Sequence, residues 1–282
     1  MTIHSRELDK IILRSLKEDD YKKDVTTNLL VSPKAQTKAY ILAKEYCVVS
    51  GLPIVKAVLK KLDKRAIIKF LVKEGAVARP NQKIVSIKSK ARALLTGERT
   101  ALNFLGRLSG IATLTRSFVK KTRPFSAKIY DTRKTTPGLR MLEKYAVVCG
   151  GGQNHRFSLS ELMLIKDNHR RCYKDISDLV DELKHIRRKT KKEIEVEVDT
   201  LDQFKKVLST APDLILLDNM NPQTIRQAVK ILKGKKNRPI LEVSGGITLK
   251  NVRAFAGTGV ERISIGALTH SAHSINFSME VV

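Results

Sequence analysis

The 282 residues, 42% hydrophobic and 29% charged, have the composition of a soluble globular protein large enough to bury a core in one large or two smaller domains. No apolar run is long enough to cross a bilayer and the start, MTIHSRELDK, lacks a secretory segment, so the expected location is cytoplasmic. Three cysteines, Cys47, Cys149 and Cys172, show no CxxC or Cys/His spacing, which argues against a disulfide framework or a structural zinc site and leaves buried free thiols as the expectation. The formal net charge of +26 draws anions at long range, yet aromatic content of 5%, no Trp and no zinc-finger, RNP-type or heptad-linked basic motif speak against a specific nucleic-acid reader. The basic runs Lys60-Lys61, Lys120-Lys121, Arg187 to Lys192 and Lys233 to Arg238 read as solvated surface, with weak, salt-sensitive polyanion binding as their consequence.

Residues 5–19 place Leu8, Ile11, Ile12 and Leu16 on one helical stripe behind Ser5 as a cap. Short β-like runs follow near Tyr40, near Val48, at 66–72 and at 83–88, with a helix from Pro53 to Leu62, and together predict a small α+β unit on a mostly antiparallel sheet. A long helix is predicted from Ala91 to about Thr122. Gly106 and Gly110 weaken its propensity, and Glu98, Arg99, Asn103 and Arg107 read on spacing alone as solvated side chains, although an arginine beside close-packing glycines also suits a subunit interface.

From Ala127 the pattern alternates strand and helix. Strands are predicted at 127–131, 162–166, 193–198, 213–218, 239–243 and 262–266, with helices at 137–148, 173–188, 201–210, 222–233 and 248–257. Six such units predict a parallel sheet closed toward a barrel, and no GxGxxG supports an open dinucleotide-binding sheet. Asp131, Thr132 and Arg133 end the first strand and Lys166 the second. Glu197 lies late in the third, Asp218 ends the fourth, Ser244-Gly245-Gly246 follow the fifth, and Gly266 closes the sixth. All fall at carboxyl ends, where the loops of a β/α barrel meet at one mouth.

The stretch Asp131–His169 gathers Arg133, Lys134, Arg140, Lys144, His155, Arg156, Lys166 and His169 among Thr, Pro and Gly turns with few carboxylates close by, which predicts an anion pocket. Glu197 also reads as one of several carboxylates on an exposed strand, and Asp218 as a turn residue; opposite a basic mouth the pair suits Mg²⁺ or ribose hydroxyls. His270 and His273 have metal-pair spacing but no third ligand, and the reading for them is no metal.

The segments DTRKTTPGLRMLEKYAVVCGGGQNHR, LIKDNH, EVEVDT, LLDNM, EVSGGI and SIGALTHS, with ERTALNFLGRLSGIAT at 98–113, resemble the quinolinate phosphoribosyltransferase family over nearly the whole chain. The resemblance implies an N-terminal α+β sandwich domain (1–113, joined by the tail 271–282) and an incomplete β/α barrel (114–270). It further implies Mg²⁺-dependent transfer from 5-phosphoribosyl 1-diphosphate to quinolinate, and a homodimer whose active sites are shared across the interface. Matched motif by motif, Thr132, Arg133, His155, Arg156 and Lys166 would hold quinolinate, with Arg99 supplied by the partner subunit. Lys134, Glu197, Asp218, Ser244, Gly245, Gly246, Gly266 and His270 would face the phosphoribosyl donor. Lys134, Lys166, Glu197 and Asp218 are the catalytic candidates, and Glu197 and Asp218 the metal candidates, directly or through water or substrate.

Overall fold

A computed structural model of the protein describes residues 5–282; the expected Ser5 cap lies outside the described side chains. The chain forms two compact units. One comprises the chain up to Arg116 with Thr135–Gly151 and Ala267–Val282, the other Ser117–Lys134 with Gly152–Gly266.

In chain order, α1 (Ser5–Glu18) and α2 (Val25–Leu30) precede β1 (Gln36–Ala43), β2 (Cys47–Val48), α3 (Leu52–Leu62), β3 (Ile67–Phe70), β4 (Val77–Ala78), β5 (Lys83–Lys90) and the long α4 (Ala91–Thr122). The α1 stripe buries Ile12 and Leu16 completely. Helix α3 starts at Gly51, whose φ of 114° favours glycine, and the distant Glu74 carboxylate accepts the Gly51 and Leu52 N–H groups. This cap is supplied by a residue that local sequence does not point to.

The second half comprises β6 (Lys128–Tyr130), α5 (Arg140–Gly150), β7 (Met163–Ile165), α6 (Asp167–Arg170), α7 (Ile176–Lys189), β8 (Ile194–Val198), α8 (Leu201–Leu208), β9 (Leu214–Asp218), α9 (Pro222–Leu232), β10 (Ile240–Ser244), α10 (Val252–Ala256), β11 (Arg262–Ser264), α11 (Ala267–His270) and β12 (Phe277–Val281). Strands β6 to β11 pair in the order β6-β11-β10-β9-β8-β7, every pair parallel. Sequential strands are neighbours except β6 and β7, which occupy the two edges. That is a barrel with one open seam, as the sequence predicts. Several helices are capped just after a strand. Thr200 accepts from Gln203 N–H at the start of α8, and Asn221 from Thr224 N–H at the start of α9 with Pro222 in the first turn.

The other sheet runs β12-β1-β5-β3, all antiparallel. Its edge strand β12 comes from the end of the chain, and the tail before it lies against α4: Ile275 N–H donates to Gly106 O. A Cβ at Gly106 would stand 2.7 Å from Ile275 O, and one at Gly110 would overlap His273 O. The glycines that weaken α4 are therefore where the tail approaches its backbone.

By chain contacts, helix α5 belongs to the first unit, which runs to Arg116 and takes up the tail from Ala267. Strand β8 is buried along its whole length, so the exposed-strand reading of Glu197 fails. Of the thiols only Cys47 is buried, while Cys149 is intermediate and Cys172 exposed.

Candidate active site at the carboxyl ends of the barrel strands

In β8 the period of two puts Glu195 and Glu197 on one face, and pairing register aligns Glu197 with Leu216 of β9 and Glu242 of β10, and Asp218 with Ser244. This face points into the barrel, where alternate strands supply the side chains of each layer. Glu197, only 4% exposed, accepts from Lys166 Nζ at 3.2 Å and from Asp167 N–H at 3.0 Å. Burial first, and Glu197 next, push the Asp218 carboxyl above the usual range, while Lys166 pulls it down. The tips of β7, β8, β9 and β10 thus bring Lys166, Glu197, Asp218 and Ser244 into one cluster. Two adjacent carboxylates that repel each other fit a hard cation with oxygen ligands, which relieves the repulsion.

Beyond Ser244 the chain turns through Gly245 (φ 89°) and Gly246 (φ 60°). A Cβ on Gly245 would overlap the Asn219 side chain and stand 2.9 Å from its backbone nitrogen. A Cβ on Gly246 would meet nothing within 4 Å, leaving its backbone open to an approaching group. Gly266 lies two residues past β11 at the same end of the sheet.

A second cationic cluster follows β6. Asp131 is fully buried and accepts the His155 N–H at 2.9 Å, tying the 155–156 segment to the end of β6. Arg156 donates from Nη1 to Leu162 O at 2.9 Å. Burial, and then the neighbouring Arg133, lower its pKa, so two guanidinium groups face one region. Arg133 Nε is buried with no hydrogen-bond partner. Adjacent guanidinium groups with an unused donor suit a ligand bearing more than one carboxylate. Thr132 Oγ1 accepts the Lys134 N–H at 3.1 Å and shapes the turn that carries exposed Lys134.

His155, the neighbour of Arg156, has both ring nitrogens engaged inside the protein. Nδ1 accepts the Arg156 N–H at 2.7 Å, and Nε2 lies 3.1 Å from Glu195 and 3.3 Å from Glu242. Burial disfavours the imidazolium, but the two glutamates outweigh it and raise the pKa to about 9. The N–H aimed at Nδ1 opposes protonation there, so the proton demand of the carboxylates falls on Nε2 and on Glu195, whose carboxyl is pushed up by burial and by Glu242.

Not every predicted residue joins this cluster. Lys144 is completely buried on α5, and Arg140 donates from Nε to Thr135; both belong to the first unit. Arg99 is exposed on α4, and His270 is exposed beside Ser271 Oγ at 2.6 Å; these too lie in the first unit. His169 accepts the Lys166 N–H through Nδ1 and helps form the first turn of α6. Arg107, expected to be solvated, instead donates to buried Glu143 at 2.8 Å and to Ala272 O, clamping α4, α5 and the tail.

Sequence reading missed Glu195 and Glu242 as partners of His155, and it underrated nearby carboxylates as neutralisers of the basic stretch. The signal available was glutamate at alternate positions in a strand that its flanking helices require to be buried on both faces.

Comparison with known proteins agrees with this architecture. The profile "Quinolinate phosphoribosyl transferase, N-terminal domain" matches residues 24–109 and "Quinolinate phosphoribosyl transferase, C-terminal domain" residues 111–280. The chain is 39% identical over 277 residues to a probable carboxylating nicotinate-nucleotide pyrophosphorylase of Bacillus subtilis, covering 98% of this chain and 93% of that one. A protein of the same description from Methanocaldococcus jannaschii is 40% identical, with 97% and 96% covered. Among solved structures, NadC from Streptococcus pyogenes superposes with a TM-score of 0.93 at 35% identity, covering 100% and 99% of the two chains. The nicotinate-nucleotide pyrophosphorylase of Francisella tularensis gives 0.91 at 37%, covering 100% and 98%.

Proposed function

Because the chain belongs to the quinolinate phosphoribosyltransferase family, we infer that it transfers the phosphoribosyl group of 5-phosphoribosyl 1-diphosphate to quinolinate. The products are nicotinate mononucleotide, diphosphate and carbon dioxide, a step of NAD biosynthesis. The observation that carries this reading is the meeting of Lys166, Glu197, Asp218 and Ser244 at the strand tips of the same barrel that presents the Arg133–Arg156 pair.

The pyridine nitrogen of quinolinate is itself the nucleophile, so the protein supplies orientation and charge rather than an attacking group. Arg133, Arg156 and Lys166 grip the two carboxylates, Thr132 shapes the turn beside them, and His155 holds the backbone that carries Arg156. As the bond from the ribose carbon to diphosphate oxygen breaks, positive charge develops on the sugar, and the Glu197 and Asp218 carboxylates stabilise it. The new bond from ring nitrogen to ribose leaves a cationic pyridinium. The adjacent carboxylate then departs as carbon dioxide, and the electron pair left on the ring carbon takes a proton. Lys134 faces the diphosphate, and the turn Ser244-Gly245-Gly246 with Gly266 receives the 5-phosphate through backbone and side-chain donors. Glu197 and Asp218 would hold Mg²⁺, directly or through water or substrate, to neutralise charge on the leaving diphosphate.

We further propose a homodimer in which Arg99 completes the partner's quinolinate pocket. Arg99 lies one helical turn from exposed Leu95 on α4, and α2 displays Val25, Leu29 and Leu30 at 68%, 79% and 80% exposure. Arg92 donates to Val31 O and Asn28 O, and Thr96 to Asp24, so these apolar groups and Arg99 share a region of the first unit. An apolar surface of this kind beside an exposed arginine suits burial by a second copy. No helix among the described residues is long and apolar enough to cross a membrane, and the proposed location is the cytoplasm. Incubating the protein with quinolinate, phosphoribosyl diphosphate and Mg²⁺ should yield nicotinate mononucleotide by mass. Turnover of nicotinate in place of quinolinate would assign the fold to a different aromatic acid.

A further inference from the structure

We propose that Glu195 and Glu242 are positioning residues for the diacid pocket: through His155 they hold the segment that keeps Arg156 beside Arg133. This rests on the quinolinate reading of the two arginines and adds to it the residues that set their geometry.

Two guanidinium groups sharing a partly buried space repel, so the backbone carrying them needs anchors beyond its own turn. Asp131 takes the His155 N–H, the Arg156 N–H donates to His155 Nδ1, and Nε2 faces Glu195 and Glu242. His155 is thereby held at its backbone and at both ring nitrogens, and Arg156 is the next residue. Glu242 is fixed in turn by Ser264 Oγ of β11 at 2.5 Å.

The two carboxylates are expensive to bury. Glu195 and Glu242 are 0% and 1% exposed, and Glu195 Oε1 and Glu242 Oε2 lack a hydrogen-bond partner. Apolar residues would fill the barrel without that cost. What Glu195 adds is a charge that favours the Arg156 guanidinium and, together with Glu242, a seat for the imidazole between β8 and β10.

A metal ion is the rival account, since the His155, Glu195 and Glu242 ligand atoms lie within 4.8 Å of one another. The Arg156 N–H pointing at Nδ1 decides against it. A neutral imidazole binding metal through Nε2 must carry its proton on Nδ1, where that N–H already sits. The ring proton therefore belongs on Nε2, facing the carboxylates.

The test is steady-state kinetics of the full-length protein and of Glu195→Gln, Glu242→Gln and His155→Gln, with KM measured for each substrate. Each glutamate variant should raise the quinolinate KM about tenfold, the effect of a small misplacement of a binding group, with the phosphoribosyl diphosphate KM and kcat within about twofold. Pairing Glu195→Gln with His155→Gln should cost much less than the product of the single effects, because both act through one ring. Equal changes in both KM values, a quinolinate KM that does not move, or fully multiplicative effects would overturn the proposal. If a glutamate variant does not fold, Ser264→Ala, which frees Glu242 without removing charge, should raise the quinolinate KM by a smaller factor; no rise would sink the idea. The unmodified protein separates the two levels: if it makes no nicotinate mononucleotide the parent reading fails, whereas if it turns over and the variants match it only this inference does.

Discussion

The two ends of the barrel sheet are both rich in cations and use them in opposite ways. At the carboxyl ends, Lys166 pairs with Glu197 across neighbouring strands, Arg156 is set beside Arg133, and Arg133 Nε is buried without a partner. At the amino ends, the segments before β6, β8 and β10 carry Lys120, Lys121 and Arg123, then Arg188, Lys189, Lys191 and Lys192, then Lys233, Lys235, Lys236 and Arg238, every one exposed. There the pairs that form, Arg187 with Asp213 and Arg238 with Glu261, are partly exposed. The basic runs before β6, β8 and β10 are solvated surface, whereas Arg133, Arg156 and Lys166, from separate segments, are collected by the fold at one end of the sheet. Charge held out of water against fixed partners can recognise a ligand; the same charge in water mostly screens itself.

The sharpest way to break this contrast is to remove a cation from the carboxyl end. Arg133→Ala or Arg156→Ala should lower kcat/KM for quinolinate by about 10³-fold, roughly 4 kcal/mol, as expected for losing a charge-assisted pair in a water-poor site. An unaffected variant would remove that arginine from the pocket. Glu197→Gln or Asp218→Asn should follow with about a 10²-fold loss seen mainly in kcat, together with a weaker dependence on Mg²⁺ in a metal titration. Gly245→Ala should raise the phosphoribosyl diphosphate KM about tenfold and cost about 1–3 kcal/mol of stability, because alanine must adopt a positive φ against the Asn219 backbone. Calorimetry and kinetics on the same sample check both parts.

The amino end should respond weakly. Asp213 loses some affinity for charge by burial, but Arg187 and the Ile194 N–H more than offset this and hold its carboxyl below the usual range. Its contribution is thus complete above the ordinary aspartate pKa and is lost as pH falls through the lowered folded value. Asp213→Asn should cost about 1 kcal/mol or less at neutral pH, since the ion pair is a third exposed, and the gap to the parent protein should close in acid melts. The smallest effect on catalysis belongs to Lys191→Glu, Lys192→Glu, Lys235→Glu and Lys236→Glu combined. Activity should stay within about twofold, while weak binding to a DNA duplex, measured against salt, should lose both affinity and slope. Binding that survives physiological salt in the parent protein would revive a nucleic-acid role.

The two units also differ in how much of them sequence reading recovered. The barrel strands were found to within a residue or two, because parallel strands buried on both faces are short apolar runs between amphipathic helices. In the first unit, α2, β4 and the tail strand β12 escaped, being short and stabilised by partners far along the chain. The tail pairs Phe277 with Ala43 across the whole length of the protein, a contact no local pattern carries.

Sequence alone determined that six strand tips would carry Arg133, Lys166, Glu197, Asp218, Ser244 and Gly266, because a strand's end and its side-chain period are local properties. Only the tertiary structure decided that Lys144 is buried on a helix of the other unit, that Arg107 is a clamp rather than a solvated side chain, and that Glu195 and Glu242 close on His155. Those outcomes depend on which strands become neighbours across the barrel and on what burial does to a charge, and neither is a property of any one segment.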